Sequence, residues 1–214
     1  MIKAILWDND GILVDTERLY FRATQQTLAT VGVHLTEEMY QDLFLVKAKG
    51  AWHLAEAKGI PKEDLDRLRA DRGRLYLSML EKGVKSIEGV EEVLRTLHGK
   101  YFMGVVTSSH REHFEAIHRS TGLMKYFSFA LTSEDYEKFK PDPEPYLMAI
   151  RKSGFSANEC VAIEDSERGL TSATGAGLRC FVIPTAMTRS QKFKGAYKIL
   201  QSVREIPSAI ASIG

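Results

Sequence analysis

The sequence predicts an α/β fold, a doubly wound parallel sheet interrupted after its first strand by a block of helices. Three observations carry that expectation. Apolar runs of strand length recur along the chain, with helical periodicity between them. The runs are continuously apolar rather than alternating, as strands buried on both faces of a parallel sheet require. One long segment, residues 16–82, shows helical patterning and no strand-like run.

The first strand is expected at residues 2–7 (IKAILW). In the helical block, Tyr20, Ala23, Leu28 and Val31 share the face of one helix that Gly32 ends, and Leu65, Leu68, Leu75, Met79 and Leu80 share the face of a later one. The alternation then starts. Val90, Val93, Leu94 and Leu97 mark a helix stopped at Gly99, and residues 102–107 the next strand. Phe114, Ile117 and Thr121 mark a helix stopped near Gly122, and residues 127–131 a strand. Tyr146, Leu147 and Ile150 mark a helix stopped near Gly154, and strands follow at 160–163 and 180–183. One unit thus comprises residues 1–15 and 83–214, and the helical block of 16–82 is inserted into it. An insert at the carboxyl end of a strand sits where open α/β sheets bind ligands.

With 214 residues, 44% hydrophobic and 27% charged, the chain is long enough and apolar enough for a core without staples. A formal net charge of +1 provides no basic field for nucleic acid or for an acidic membrane surface. No apolar stretch approaches the length of a membrane span. The opening MIKAILWDND is too short an apolar run for a secretory signal. Cys160 and Cys180 both lie in apolar runs and read as buried thiols of a reducing compartment. The expectation is a cytoplasmic monomer acting on a small molecule.

Polar clusters follow the strands. Asp8 and Asp10 follow the first, and Thr107, Ser108 and Ser109 the second. Lys140 comes after the third in KPDPEPY, and Glu164 and Asp165 follow the fourth. In a parallel sheet these ends gather at one edge. Residues i and i+2 of an extended chain share a face, so Asp8 and Asp10 aim into one pocket. Two carboxylates about 4 Å apart repel by about 4 kcal/mol at an effective dielectric of 20. A hard divalent cation relieves that repulsion, and an all-oxygen donor set without His or Cys points to Mg²⁺ rather than Zn²⁺. Such a centre, with Lys140, suits a phosphate. A carboxylate can attack phosphorus, and its neighbour can protonate the leaving oxygen and then activate water.

Each signal has an ordinary reading taken alone. Asp-Gly makes turns, Thr-Ser-Ser and Glu-Asp-Ser cap helices, and Lys-Pro is common in solvated loops. His110, His113 and His118 read as a solvated helix face rather than a zinc site, and Lys47 and Lys49 as solvated lysines. The glycines of GLTSATGAGL read as close helix–sheet packing.

Taken in order, DNDGILVDTE, VVTSS, KPDPEPY and IEDSERGLTSATGAG make the chain resemble, nearly end to end, the haloacid dehalogenase superfamily hydrolases of the phosphatase and β-phosphoglucomutase-like branch. The resemblance implies a Rossmannoid parallel-sheet core with an α-helical cap at residues 16–82. It implies Asp8 as nucleophile and Asp10 as general acid/base, with Thr107, Ser108 and Lys140 holding the phosphoryl group. Mg²⁺ would take a side-chain oxygen of Asp8, the main-chain carbonyl of Asp10 and the side chain of Asp165, with Glu164 as a further ligand or behind these. The acid at position 10 argues against a dehalogenase and a phosphonatase. Asn9 stands where an apolar residue is usual and Phe139 where glycine is common, and LFLVKAKGAW lacks the clearer cap signature of the family. The implied activity is Mg²⁺-dependent hydrolysis of a small sugar or polyol phosphate. The rivals are a phosphosugar mutase, a phospho-accepting signalling domain, which is shorter and carries its acceptor on a middle strand, and a non-catalytic binding relative. The mutase branch carries a histidine at the position of Tyr20.

Overall fold

A computed structural model describes residues 1–47 and 49–213, so Ala48 and Gly214, which the two ranges above include, lie outside it. Six parallel strands form one sheet in the order β3-β2-β1-β4-β5-β6. They are β1 (Ala4–Trp7), β2 (Phe102–Val106), β3 (Phe129–Leu131), β4 (Cys160–Glu164), β5 (Arg179–Val182) and β6 (Lys198–Ile199). Ala4 pairs with Phe102 on one side and with Cys160 on the other, which puts β1 at the centre. Every residue of β1 and β4 is buried, as their unbroken apolar runs require.

β3 starts two residues later than its apolar run, because the Phe127 amide closes the preceding turn on the Met124 carbonyl. β6 escapes the sequence pattern altogether. It is a two-residue edge strand, both residues exposed, and too short to show a period.

The inserted segment is helical as expected: α1 (Glu17–Ala29), α2 (Glu37–Tyr40) continuing into a π-helical turn at Gln41–Val46, α3 (Trp52–Glu56) and α4 (Lys62–Leu80). These helices share their own apolar cluster, including Leu28, Leu35, Tyr40, Leu65 and Leu68. Met187, from the loop after β5, is buried in it as well. The sheet's two faces carry the other two clusters. Ile5, Trp7, Val105 and Ile163 meet α5 (Val90–Leu97), α6 (Arg111–Thr121) and α9 (Ile206–Ala211). Ala4, Leu6 and Val106 meet α7 (Glu144–Ser153) and α8 (Glu167–Gly175).

Gly122 and Gly154 end α6 and α7 in the left-handed conformation, where a side chain would be strained. On α7 the buried face is Pro145, Tyr146, Ala149 and Ser153. Leu147, one residue or about 100° further round the helix, is exposed, contrary to expectation. Among the described residues no helix is long and apolar enough to cross a membrane.

Candidate active site

The strand order reverses at β1, with β2 and β3 to one side and β4 to β6 to the other. A crevice opens at the carboxyl ends of strands at such a point, and there the chain gathers its charged residues. Asp8 extends β1, its amide bonded to the Ile163 carbonyl at 2.9 Å. Lys140 reaches in from the loop before α7. Its Nζ donates to Asp8 Oδ1 at 2.8 Å, to Glu164 Oε1 at 2.6 Å and to the Val106 carbonyl at 2.9 Å. Tyr146 OH also donates to Glu164 Oε1, at 2.6 Å. Asp8, Glu164, Asp165 and Lys140 are all buried.

Asp8, Glu164 and Asp165 bring carboxylate oxygens within 4.8 Å of one another, against one ammonium. Fully ionised, the cluster carries a net charge of −2. The titration behaviour follows. Burial, then the Glu164 charge, raises Asp8 to about 7 despite Lys140. Burial, then Asp8 and Glu164, pushes Asp165 well above the carboxylate range. Burial disfavours the Lys140 ammonium, but Asp8 and Glu164 outweigh it and push its pKa up.

A divalent cation fits this cluster. Its charge matches the excess, all donors are hard oxygens, and Glu164 Oε2 is buried without a partner. Two glycines leave the carboxylates their room. A Cβ at Gly11, which has φ +85°, would overlap Asp165, and one at Gly169 would overlap Glu164. The glycine expected to serve helix–sheet packing thus serves a carboxylate.

Asp10 lies on the other side of the crevice. Its Oδ2 accepts from Ser109 Oγ at 2.9 Å and from Thr107 Oγ1 at 3.2 Å, and its Oδ1 accepts from Thr16 Oγ1. Asp8, Asp10, Ser108, Lys140, Glu164 and Asp165 all line one small cavity of about 40 Å³. Thr107 lies beside it, with its hydroxyl engaged by Asp10 and by the Ser109 amide. Ser108 lines both this cavity and a larger neighbour, and its Oγ is buried with no partner.

The larger cavity, about 170 Å³, brings in Glu17, Tyr40, Tyr76 and Arg168, which the sequence does not single out for a site, beside Tyr20 and His113. Glu17, Tyr20, Tyr40 and Tyr76 come from the inserted helices, His113 from α6 and Arg168 from α8. Glu17 accepts a hydrogen bond from Tyr40 OH, and burial pushes its pKa up. Glu17 and Arg168 lie inside quoted motifs, DTE and EDSERG, and that adjacency was the available signal.

The three histidines do not share a solvated face. His110 is exposed, but His113 and His118 are buried. His113 packs edge-on against Tyr76, ring centroids 5.0 Å apart, and burial followed by the His110 charge lowers its pKa. His118 turns under β1, its Nε2 2.9 Å from Asn9 Oδ1. α6 is covered on two sides, by the sheet and by α4, so its buried arc is wider than its apolar residues show. Lys47 and Lys49 are exposed as expected, Lys47 in an open ion pair with Asp42.

The charge excess has a measurable consequence. Asp8 has its folded pKa near 7, against 3.8 as the ordinary value, so between about 4 and 7 the folded state binds more protons than the unfolded. The stability associated with this group is present below pH 4 and lost as pH rises through 7; Asp165 acts in the same sense. In excess chelator, Tm is therefore expected to fall from pH 5 to pH 7.5, and Mg²⁺ to reverse the fall. Calorimetry with and without chelator checks this. A chelated Tm that stays level or rises over that range, or is indifferent to Mg²⁺, contradicts the cluster's charge count.

Comparison with known proteins agrees with this geometry. The family model of the haloacid dehalogenase-like hydrolases matches residues 5–183. The chain is 31% identical to Protein CbbY of Cereibacter sphaeroides over 220 aligned residues, covering 96% of this chain and 94% of that protein. It is 30% identical to the Phosphorylated carbohydrates phosphatase of Thermotoga maritima, covering 83% and 82%. Among solved structures, CbbY from Rhodobacter sphaeroides in complex with phosphate matches with a TM-score of 0.82 at 27% identity, covering 96% of each chain.

Proposed function

The chain belongs to the haloacid dehalogenase-like hydrolase family and is a phosphatase, and on that premise we propose that it hydrolyses small sugar or polyol monophosphates through an aspartyl-phosphate on Asp8, with Mg²⁺ as cofactor. The observation that carries the reading is the buried lysine bridge. Lys140 Nζ lies 2.8 Å from Asp8 and 2.6 Å from Glu164, while Asp10 also lines a second cavity.

In this reading an Asp8 oxygen attacks phosphorus, and the bond from phosphorus to the leaving alcohol breaks. Asp10 gives that alcohol its proton, then takes one from the water that attacks the phosphoryl group, releasing phosphate and restoring Asp8. Lys140 and the hydroxyls of Thr107 and Ser108 hold the phosphoryl oxygens. Asp8, Asp165 and the Asp10 carbonyl would hold Mg²⁺, with Glu164 as a further ligand or behind them; the ion would neutralise phosphoryl charge.

Residues 16–82 act as the cap over a core of 1–15 and 83–214. Met187, buried among the cap helices, and Gln191, whose Nε2 donates to the Leu45 carbonyl at 3.5 Å, seat the one on the other. The larger cavity takes the leaving group. It sets one cation, Arg168, against Glu17 and Asp10, among tyrosines that offer hydroxyls, which suits a neutral polyol. The relative named as acting on phosphorylated carbohydrates supports this substrate class. The reading keeps the protein a cytoplasmic monomer without nucleic-acid or membrane partners, consistent with its two buried free thiols.

A phosphatase is favoured over a mutase at Tyr20. Tyr20 presents a phenol where the mutase branch carries an imidazole, the side chain suited to switching charge near neutral pH. Here its ring packs among Tyr40, Phe44 and Tyr76 at the cavity wall. β-Glucose 1-phosphate with a bisphosphate primer is expected to yield inorganic phosphate and no appreciable glucose 6-phosphate. Parallel phosphate-release and dehydrogenase-coupled assays decide between the two. Glucose 6-phosphate forming much faster than phosphate establishes the mutase.

A further inference from the structure

We propose that His118 is a positioning residue for the reaction, fixing through Asn9 the turn that carries Asp10; the proposal rests on the phosphatase reading, in which Asp10 is the acid/base. Asn9 lies between the two aspartates, is fully buried, and its side-chain oxygen meets His118 of α6. A buried amide among apolar side chains is unfavourable unless bonded. Its partner is 109 residues away: His118 Nε2 meets Asn9 Oδ1 at 2.9 Å. An amide oxygen only accepts, so the imidazole carries its proton on Nε2, and Nδ1 accepts from Thr121 Oγ1 at 3.0 Å. Burial lowers His118 to about 4 and keeps the ring neutral at ordinary pH. Phe114, with its centroid 4.4 Å from the imidazole, holds the ring from the side.

The clamp acts at the centre of the turn. The Asn9 main-chain carbonyl accepts from the amides of Leu13 at 2.8 Å, Val14 at 3.2 Å and Ile12 at 3.3 Å, and the Gly11 amide closes back on the Val14 carbonyl at 2.8 Å. Asp10 is carried on that loop. Holding the Asn9 side chain from below and its carbonyl from above limits rotation of the peptide that aims Asp10. An apolar residue at position 9 would fill the space but exert no directional hold. Asn9 Nδ2 is buried without a partner, so the pair is not the most stable filling of this space. Its contribution is direction.

The test is the single-turnover rate of protein phosphorylation, measured with an aliphatic phosphate, whose leaving oxygen needs a proton, and with p-nitrophenyl phosphate, which needs little help. His118→Leu is expected to slow the aliphatic reaction about tenfold and the aryl one by less than about twofold, with substrate affinity unchanged. His118→Gln, which presents an N–H at a similar reach, restores the aliphatic rate. Asn9→Leu/His118→Leu, with no buried polar group left unpaired, regains thermal stability but not the aliphatic rate, and it carries the test should the single variant fold poorly. Equal losses on both substrates, or an aliphatic rate regained by the double variant, make the pair a structural filler and overturn the proposal. Asp10→Asn run alongside separates the two levels. If that variant itself shows no selective aliphatic loss, the acid role of Asp10 fails, and the proposal with it.

Discussion

Asp8→Asn is expected to remove turnover by about four orders of magnitude or more while leaving the protein folded. A neutral amide cannot be the attacking carboxylate. Glu164 Oε1 is committed to Lys140 and Tyr146. Asp10 is turned toward Thr107 and Ser109. The fold should not suffer. Lys140 keeps Glu164 and the Val106 carbonyl as partners, and the change removes one of the buried charges whose repulsion raises Asp8 and Asp165. In chelator near pH 7.5, Tm is therefore expected to be equal to or above that of the unaltered protein. Comparable activity in a pure, Mg²⁺-loaded variant contradicts the assignment.

The second large effect is expected from Lys140→Met, and it strikes stability and activity together. The lysine is 4% exposed and is the cation that directly bonds Asp8 and Glu164. Removing one partner of a buried ion pair costs about 3–5 kcal/mol, because the remaining charge stays buried and unpaired. Without the lysine, which lowers the Asp8 pKa, Asp8 is expected to hold its proton to higher pH, so the variant's stability in chelator should fall more steeply with rising pH. Loss of a preorganised cation at the phosphoryl group should lower kcat/KM by about 10² to 10³. Lys140→Met/Glu164→Gln should recover part of the stability and none of the activity. Denaturant titration and steady-state kinetics measure both. A single variant with unchanged stability and unchanged KM contradicts the bridging role.

The sheet was legible in the sequence because its central strands are buried on both faces and therefore read as unbroken apolar runs. Placing Asp8, Thr107 and Glu164 together needed only the further rule that parallel strands end on one edge. Lys140 was legible by the same logic, although it lies in a loop, since it follows the third strand. What escaped depends on contacts that no local pattern encodes. Tyr76 and Glu17 lie at opposite ends of the inserted segment, on α4 and α1, and become neighbours of Asp10 only once those helices pack. His118 on α6 looks like a surface residue by type, and its partner Asn9 is distant in sequence. Asn9 stands out in the sequence as a departure from an apolar position, but nothing local to it points to its partner. Leu147 departs in the opposite sense: it is apolar and adjoins the buried Tyr146, but the next residue of a helix points about 100° away.

The phosphoryl group is expected to pass through Asp8. Rapid acid quenching during turnover of an aliphatic phosphate, followed by proteolysis and mass spectrometry, tests it most directly. The prediction is one phosphoryl group on the peptide containing Asp8, formed at a rate compatible with turnover, lost on incubation with hydroxylamine, and absent from Asp8→Asn. Steady turnover under conditions that preserve acyl phosphates, with the label on another residue or on none, would contradict it.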